Sequence, residues 1–180
     1  MKLTKAVTAR EIDEQELERI RKPHFNRVFA NRTAHSFERA EPDKLNQRRQ
    51  SYPLWQLRIG LYQGDAVVGW HFGFAPTPDT YYMQNSVVLE EYRNQKIYSA
   101  LLDFVLKRVE QEDFQVITSL HHPNNAAVLI PKLKKGFVIA SMQCHERFGN
   151  MIEMKYFFNE SQRLLMHELP VRSTCCRAPA

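Results

Sequence analysis

The sequence predicts a mixed α+β domain on a central six- to seven-stranded mixed sheet, with an antiparallel N-terminal meander, a later parallel crossover and flanking helices. Three observations carry that reading. Between Trp55 and Leu89, three stretches alternate apolar and polar residues at period two and are parted by short turns, Gln63-Gly64-Asp65 and Pro76-Thr77-Pro78-Asp79, as in consecutive antiparallel strands. From Ile97, residues Leu101, Phe104, Val105, Arg108 and Val109 share a helical face before the short apolar stretch Phe114–Leu120, and a strand, helix, strand succession of this length implies a parallel crossover. Val138–Arg147 and Met151–Phe158 then read as a hairpin across Phe148-Gly149-Asn150. Residues 1–160 are expected to form one domain and 161–180 a flexible tail.

In order, Lys2–Val7 reads as a first strand, and Glu11, Asp13 and Glu14 suit the start of a helix. Leu17, Ile20, His24 and Val28 share a helical face, but Pro23 is costly inside a helix, so two helical pieces are predicted with Pro23 opening the second. The Arg-rich stretch 31–51 carries a short helix around Pro42–Arg49 and is a surface segment or a cover over a substrate. In the return strand 66–74, Val68, Trp70, Phe72 and Phe74 fall on one face and Gly69, His71 and Gly73 on the other, His71 being read as an ordinary sheet residue. The following strand places Tyr81, Met83, Asn85, Val87 and Leu89 together. Asn124 and Asn125 can cap a helix over Ala126–Lys135 that ends at Gly136, with Pro131 kinking it or shifting its start.

A chain of 180 residues can bury one sizeable core. The formal charge of +5 is spread among interspersed acids and bases, which permits nucleic acid without indicating it. No apolar run approaches a membrane span and Met1–Arg10 lacks the apolar core of a secretion signal, so no membrane association and a cytoplasmic location are expected. Cys144, Cys175 and Cys176 have no metal-ligand spacing and are read as reduced thiols. His121-His122 lacks the third ligand a zinc site needs, so no metal is expected.

The candidate site is the strand-to-helix turn Val87–Tyr98. A helix that begins straight after a strand offers unpaired amides and a positive dipole end to an anion such as a pyrophosphate, although many such turns bind nothing. His121, at the end of the fifth strand, is a candidate general base, and Glu90 is a second.

The order of several motifs then narrows the chemistry. Gly64-Asp65-Ala66-Val67-Val68-Gly69-Trp70 is a Gly-Asp turn leading into a strand with a Gly-aromatic pair. Arg93-Asn94-Gln95-Lys96-Ile97-Tyr98 precedes a helix with the pair Leu101-Leu102, and Asn125 precedes a helix and the Gly136-Phe137 strand start. In that order and spacing the chain, over Trp55–Phe158 and more loosely the helical N-terminus, resembles the GNAT superfamily of acyl-CoA-dependent N-acetyltransferases. The resemblance implies that the edge Val87, Val88 and Leu89 pairs with the pantetheine arm and that the amides of Arg93, Asn94, Gln95, Lys96, Ile97 and Tyr98 wrap the pyrophosphate. It also implies that Asn125 helps to hold acetyl-CoA, a role compatible with capping. Two departures stand out: Lys96 and Tyr98 occupy positions usually held by small residues, and Lys132 stands where the family often has a general-acid tyrosine. The activity implied is transfer of an acetyl group from acetyl-CoA to a primary amine of a small molecule or protein, with a homodimer compatible. A catalytically weak or inactive acyl-CoA or peptide binding module is the second reading, and a basic nucleic-acid binder the third.

Overall fold

The computed structural model describes residues 1–29 and 54–168. Strand β1 is Thr8–Glu11, and residues Lys2–Val7, expected as the strand, instead fold back on themselves, with only an isolated bridge from Lys2 to Thr8. The reason is local: the Thr4 hydroxyl accepts from the Val7 amide at 3.1 Å while the amides of Leu3 and Thr4 both donate to the Val7 carbonyl, a turn that competes with strand pairing. Helix α1 (Glu14–Arg21) is capped by Asp13, whose carboxylate accepts from the Glu16 amide at 2.7 Å, and it buries Leu17 and Ile20. Helix α2 (Phe25–Phe29) begins two residues after Pro23, which therefore lies in the turn between the pieces and does not open the second. The expected helix around Pro42–Arg49 lies outside the described residues.

Strands β2 (Gln56–Gln63), β3 (Ala66–Phe74) and β4 (Thr80–Val88) form the antiparallel meander, with Gly64 at a φ of 57° in the first turn. Two β-bulges correct the simple alternation. Tyr62 pairs with Val67 and Leu61 with Gly69, so Val68 is the extra residue; it joins the core around Leu57 and Ile59, while Trp70 packs against Leu17 and Ile20 on the opposite face. In β4, Gly73 pairs with Met83 and Phe72 with Asn85, which leaves Gln84 unpaired. Tyr81 and Met83 consequently face the main core, and Val87 and Leu89 face α1.

After a 3-10 turn (Glu90–Tyr92), helix α3 (Ile97–Glu110) buries Ile97, Leu101, Leu102, Val105 and Val109. Strand β5 (Val116–His121) runs parallel to β4, completing the crossover. Helix α4 (Ala126–Lys134) accommodates Pro131, and strands β6 (Val138–His145) and β7 (Gly149–Phe157) form the hairpin. Its turn is Glu146–Phe148, earlier than expected, because Gly149 at a φ of 68° already begins the return strand. Helix α5 (Glu160–Glu168) follows. The seven strands run β1-β2-β3-β4-β5-β7-β6 in one mixed sheet, with α3 and α4 packed on one face and α1 on the other.

Candidate active site

The site arises where the two central strands part. β4 and β5 are paired only at Thr80–Val116, Tyr81–Ile117 and Tyr82–Thr118, after which the Gln84 bulge turns β4 away. Beyond Tyr82 the edge of β4 that faces β5 therefore has no strand partner among the described residues, and unpaired strand edges present a row of amides and carbonyls. Two clefts fill the gap. One, of about 40 Å³, is lined by Phe29, Met83, Gln84, Asn85, Ser86, Tyr98, Leu120, His121, Asn125, Val128 and Lys132. The other, of about 600 Å³, shares Phe29, Gln84, Asn85 and Leu120 with it and extends between α2 and the β6–β7 hairpin past Phe25, Tyr82, His122, His145, Phe148 and Met151.

Beneath the smaller cleft lies a hydrogen-bonded polar cluster. Lys132 is 1% exposed, and its ammonium donates to Ser119 Oγ at 2.6 Å and approaches Met83 Sδ at 3.5 Å. Ser119 Oγ is 3.0 Å from His121 Nε2, and its two lone pairs allow it to accept from the Lys132 ammonium and from the imidazole N–H together. Burial alone pushes the Lys132 pKa down to about 7. His71, fully buried, bridges Ser86 Oγ at 2.8 Å and Tyr81 Oη at 2.7 Å, and burial with the nearby Lys132 charge lowers its pKa to about 3, so it is neutral. Burial raises the Tyr98 pKa, and the Tyr98 hydroxyl is shielded from solvent with no hydrogen-bond partner among the described residues.

Local sequence explains how Lys132 comes to be held there. It follows the buried Leu129 by three residues on the inner face of α4. The helix ends in a Schellman motif, with Phe137 N–H donating to Lys132 O at 3.1 Å and Gly136 N–H to Leu133 O at 3.0 Å around Gly136 at a φ of 90°. That turn brings the Phe137 ring to 4.6 Å from the Lys132 ammonium, a cation–π contact.

The residues singled out from sequence distribute unevenly over this site. His121, Asn125 and Tyr98 line the small cleft together. Asn125 accepts the first helical bonds of α4 through its carbonyl, but its side chain makes no capping bond and is left to face the cleft. Val87 and Leu89 bury their side chains against α1, and Val88 packs on the main core. Leu89 N–H donates to Val68 O at 2.9 Å, and Arg93 Nε donates to Val88 O at 3.3 Å. In the turn, Asn94 and Lys96 take φ values of 62° and 60°, a left-handed conformation that side chains disfavour, while Gln95 is exposed and Ile97 buried. Glu90 is exposed at the start of the 3-10 turn and lines neither cleft. Ser119 escapes the sequence reading, and Lys132 enters it only as a lost tyrosine. The available signal is polar residues on apolar faces, Ser119 and His121 after Ile117 on β5 and Lys132 after Leu129 on α4. Among the described residues no three His, Cys, Asp or Glu side chains gather as metal ligands, and no helix is long and apolar enough to cross a membrane.

Residues 15–132 match the family model described as Acetyltransferase (GNAT) family. The chain belongs to the GNAT family. Solved GNAT folds resemble it closely in architecture and distantly in sequence. The ribosomal-protein-S18-alanine N-acetyltransferase from Escherichia coli superposes with a TM-score of 0.61 at 17% identity, covering 84% of this chain and 93% of that one. The spermidine N-acetyltransferase from Vibrio cholerae, solved with CoA and spermine, gives a TM-score of 0.65 at 14% identity over 89% of this chain and 99% of that one. A GNAT family acetyltransferase from Elizabethkingia anophelis with acetyl-CoA bound gives 0.60 at 13% identity over 86% and 99%. At such identities the likeness concerns the fold. No curated protein matches the sequence.

Proposed function

We propose that this GNAT-family chain transfers an acetyl group from acetyl-CoA to a primary amine. The observation that carries the reading is the parting of β4 and β5, which leaves the edge beyond Tyr82 without a strand partner among the described residues, beside a cleft of about 40 Å³. A water needs roughly 10–15 Å³ of such space, so the cleft has room for a group of a few heavy atoms such as an acetyl. The residues present fit such a donor: an unpartnered Tyr98 hydroxyl, an Asn125 side chain released from capping, and a strand-to-helix turn held open by two left-handed residues. Acetyl-CoA supplies the thioester. On this reading the edge from Met83 to Val88 runs along the pantetheine arm, with Val87 and Val88 contributing backbone groups, while Leu89, whose N–H and carbonyl are taken by Val68 O and Tyr92 N–H, anchors the end of that edge. The turn Arg93, Asn94, Gln95, Lys96, Ile97, Tyr98 faces the pyrophosphate.

The acceptor then enters through the cleft of about 600 Å³, where aromatic side chains, two histidines and amides dominate and no carboxylate is among the described lining residues. That lining favours an amine carried on an apolar or aromatic body over a polycation, which calls for acidic partners. His121, which lines the small cleft between two residues that line the larger one, is the candidate to take a proton from the attacking amine, whereas Glu90 lines neither. Backbone amides of the β4 edge are suited to polarise the carbonyl.

Calorimetry with acetyl-CoA, followed by thiol release over a panel of aromatic amines, polyamines and peptides, tests the proposal. Micromolar binding with turnover of aromatic amines is expected; absence of binding at millimolar acetyl-CoA removes the reading.

A further inference from the structure

A fully buried lysine without a carboxylate partner is expensive, and its position here calls for a use. Lys132 contacts Met83 from β4, Ser119 from β5 and Phe137 beyond α4, acts on the charge of His71 from β3, and shares the small cleft with His121 from β5 and Tyr98 from α3. None of these is an acid, and no described carboxylate acts on the Lys132 charge. Its polar contacts lead in one direction, through Ser119 Oγ at 2.6 Å to His121 Nε2 at 3.0 Å. Lys132 and His121 both line the small cleft, with Ser119 bonded between them, and Leu120 and His122 on either side of His121 line the larger cleft.

We propose that Lys132 is the general acid of the transfer and that Lys132, Ser119 and His121 form a proton relay joining the acceptor side to the donor side. The inference rests on the acetyltransferase reading and adds to it the group that discharges the thiol. As the new carbon–nitrogen bond forms and the carbon–sulfur bond breaks, the departing thiolate takes a proton from the Lys132 ammonium. The amine gives its proton to His121. His121 passes its Nε2 proton to the Ser119 oxygen and Ser119 passes its own to the neutral Lys132, so one proton has moved from nitrogen to sulfur and the imidazole keeps the proton taken from the amine, returning to a neutral ring. The energetics suit this transfer, because a thiol titrates near 8.5, so an ammonium held close to 7 protonates a thiolate downhill, which an exposed lysine near 10.4 does not.

The test compares the wild-type chain with Lys132→Met, Lys132→Tyr and Ser119→Ala, measuring acetyl-CoA affinity by calorimetry and thiol release against pH, with thermal melts to confirm folding. The wild type is expected to lose kcat above about pH 7, as the lysine loses its proton. Lys132→Met should bind acetyl-CoA within about twofold of wild type yet fall roughly 100-fold in kcat, without the alkaline limb. Lys132→Tyr should recover part of the rate with the limb displaced to higher pH, and Ser119→Ala should fall about tenfold. A folded Lys132→Met enzyme that binds acetyl-CoA and keeps the wild-type rate and pH profile overturns the acid role and leaves the proposed function standing. Recovery of Lys132 in acetylated form after turnover overturns it too, since the lysine then acts as nucleophile. A wild-type chain that fails to bind acetyl-CoA, or binds it and releases no thiol with any amine, overturns both.

Discussion

Gly69 and the carbonyl of Val87 lie so close across β3 and β4 that a Cβ on Gly69 has no room. The obstacle is backbone, which cannot turn aside as a side chain does, so β4 would have to move. Gly69→Ala is therefore expected to cost about 1–3 kcal/mol in denaturant unfolding. Because Val87 belongs to the edge assigned to the donor, the same variant should weaken acetyl-CoA binding in calorimetry. An unaltered affinity in a destabilised variant separates the edge from the donor site.

The buried lysine predicts an uncommon pH dependence of stability. With the folded pKa near 7 and the unfolded value near 10.4, the unfolded chain holds more protons between those limits, so stability rises with pH across that window, by up to about 1.4 kcal/mol per unit. The cost of the lysine is greatest below pH 7. His71 acts likewise at lower pH: it is neutral when folded down to about 3 and protonated when unfolded below about 6.5, so acidification through that window destabilises the protein. Lys132→Met should be more stable than wild type at pH 7, by about 1–4 kcal/mol, and should flatten the alkaline rise. Urea unfolding at several pH values reads both effects.

Tyr98 carries a shielded hydroxyl with no described partner. Tyr98→Phe should raise stability by about 1 kcal/mol, since an unsatisfied buried group is removed. If that hydroxyl meets the donor, the same change lowers acetyl-CoA affinity about threefold to tenfold. Opposite signs in the melt and the titration mark a side chain kept for binding.

Lys96 occupies a left-handed conformation that glycine tolerates freely. Lys96→Gly should recover about 1 kcal/mol of backbone strain. Lys96→Glu keeps the strain and reverses the charge, and it should weaken acetyl-CoA binding about fivefold to tenfold at low salt, a difference that shrinks as salt is raised. Equal affinity for Lys96→Glu and wild type excludes a phosphate contact.

Much of the architecture was legible because period-two and helical patterns are strong in β2, α3 and β7, where one face packs on the main core. Alternation failed in β3 and β4, where one extra residue at Val68 and another at Gln84 exchange the two faces. A bulge is decided by how neighbouring strands twist and pair, and that information is not local to the strand that carries it. The turn at Lys2–Val7 escaped for the opposite reason, a short-range hydroxyl contact from Thr4 that outweighs strand propensity. At the site, the junction of motifs singled out the Val87–Tyr98 turn, and His121, Asn125 and Tyr98 share a cleft. The Lys132–Ser119 bond was not readable, since it joins residues 13 apart on different elements through a burial that their residue types argue against.

Among the described residues three residue pairs join β4 to β5, and the other pairings of the seven-stranded sheet lie within β1–β4 or within β5–β7. Mechanically the sheet is two panels on one short hinge, held shut by the apolar core that α3, α4 and both panels share. Amide exchange should therefore divide at Thr80–Tyr82, with the two panels opening as separate cooperative units. Substrates that bridge β4 and β5 would act as a clasp, slowing exchange in both panels at once while touching few residues of either.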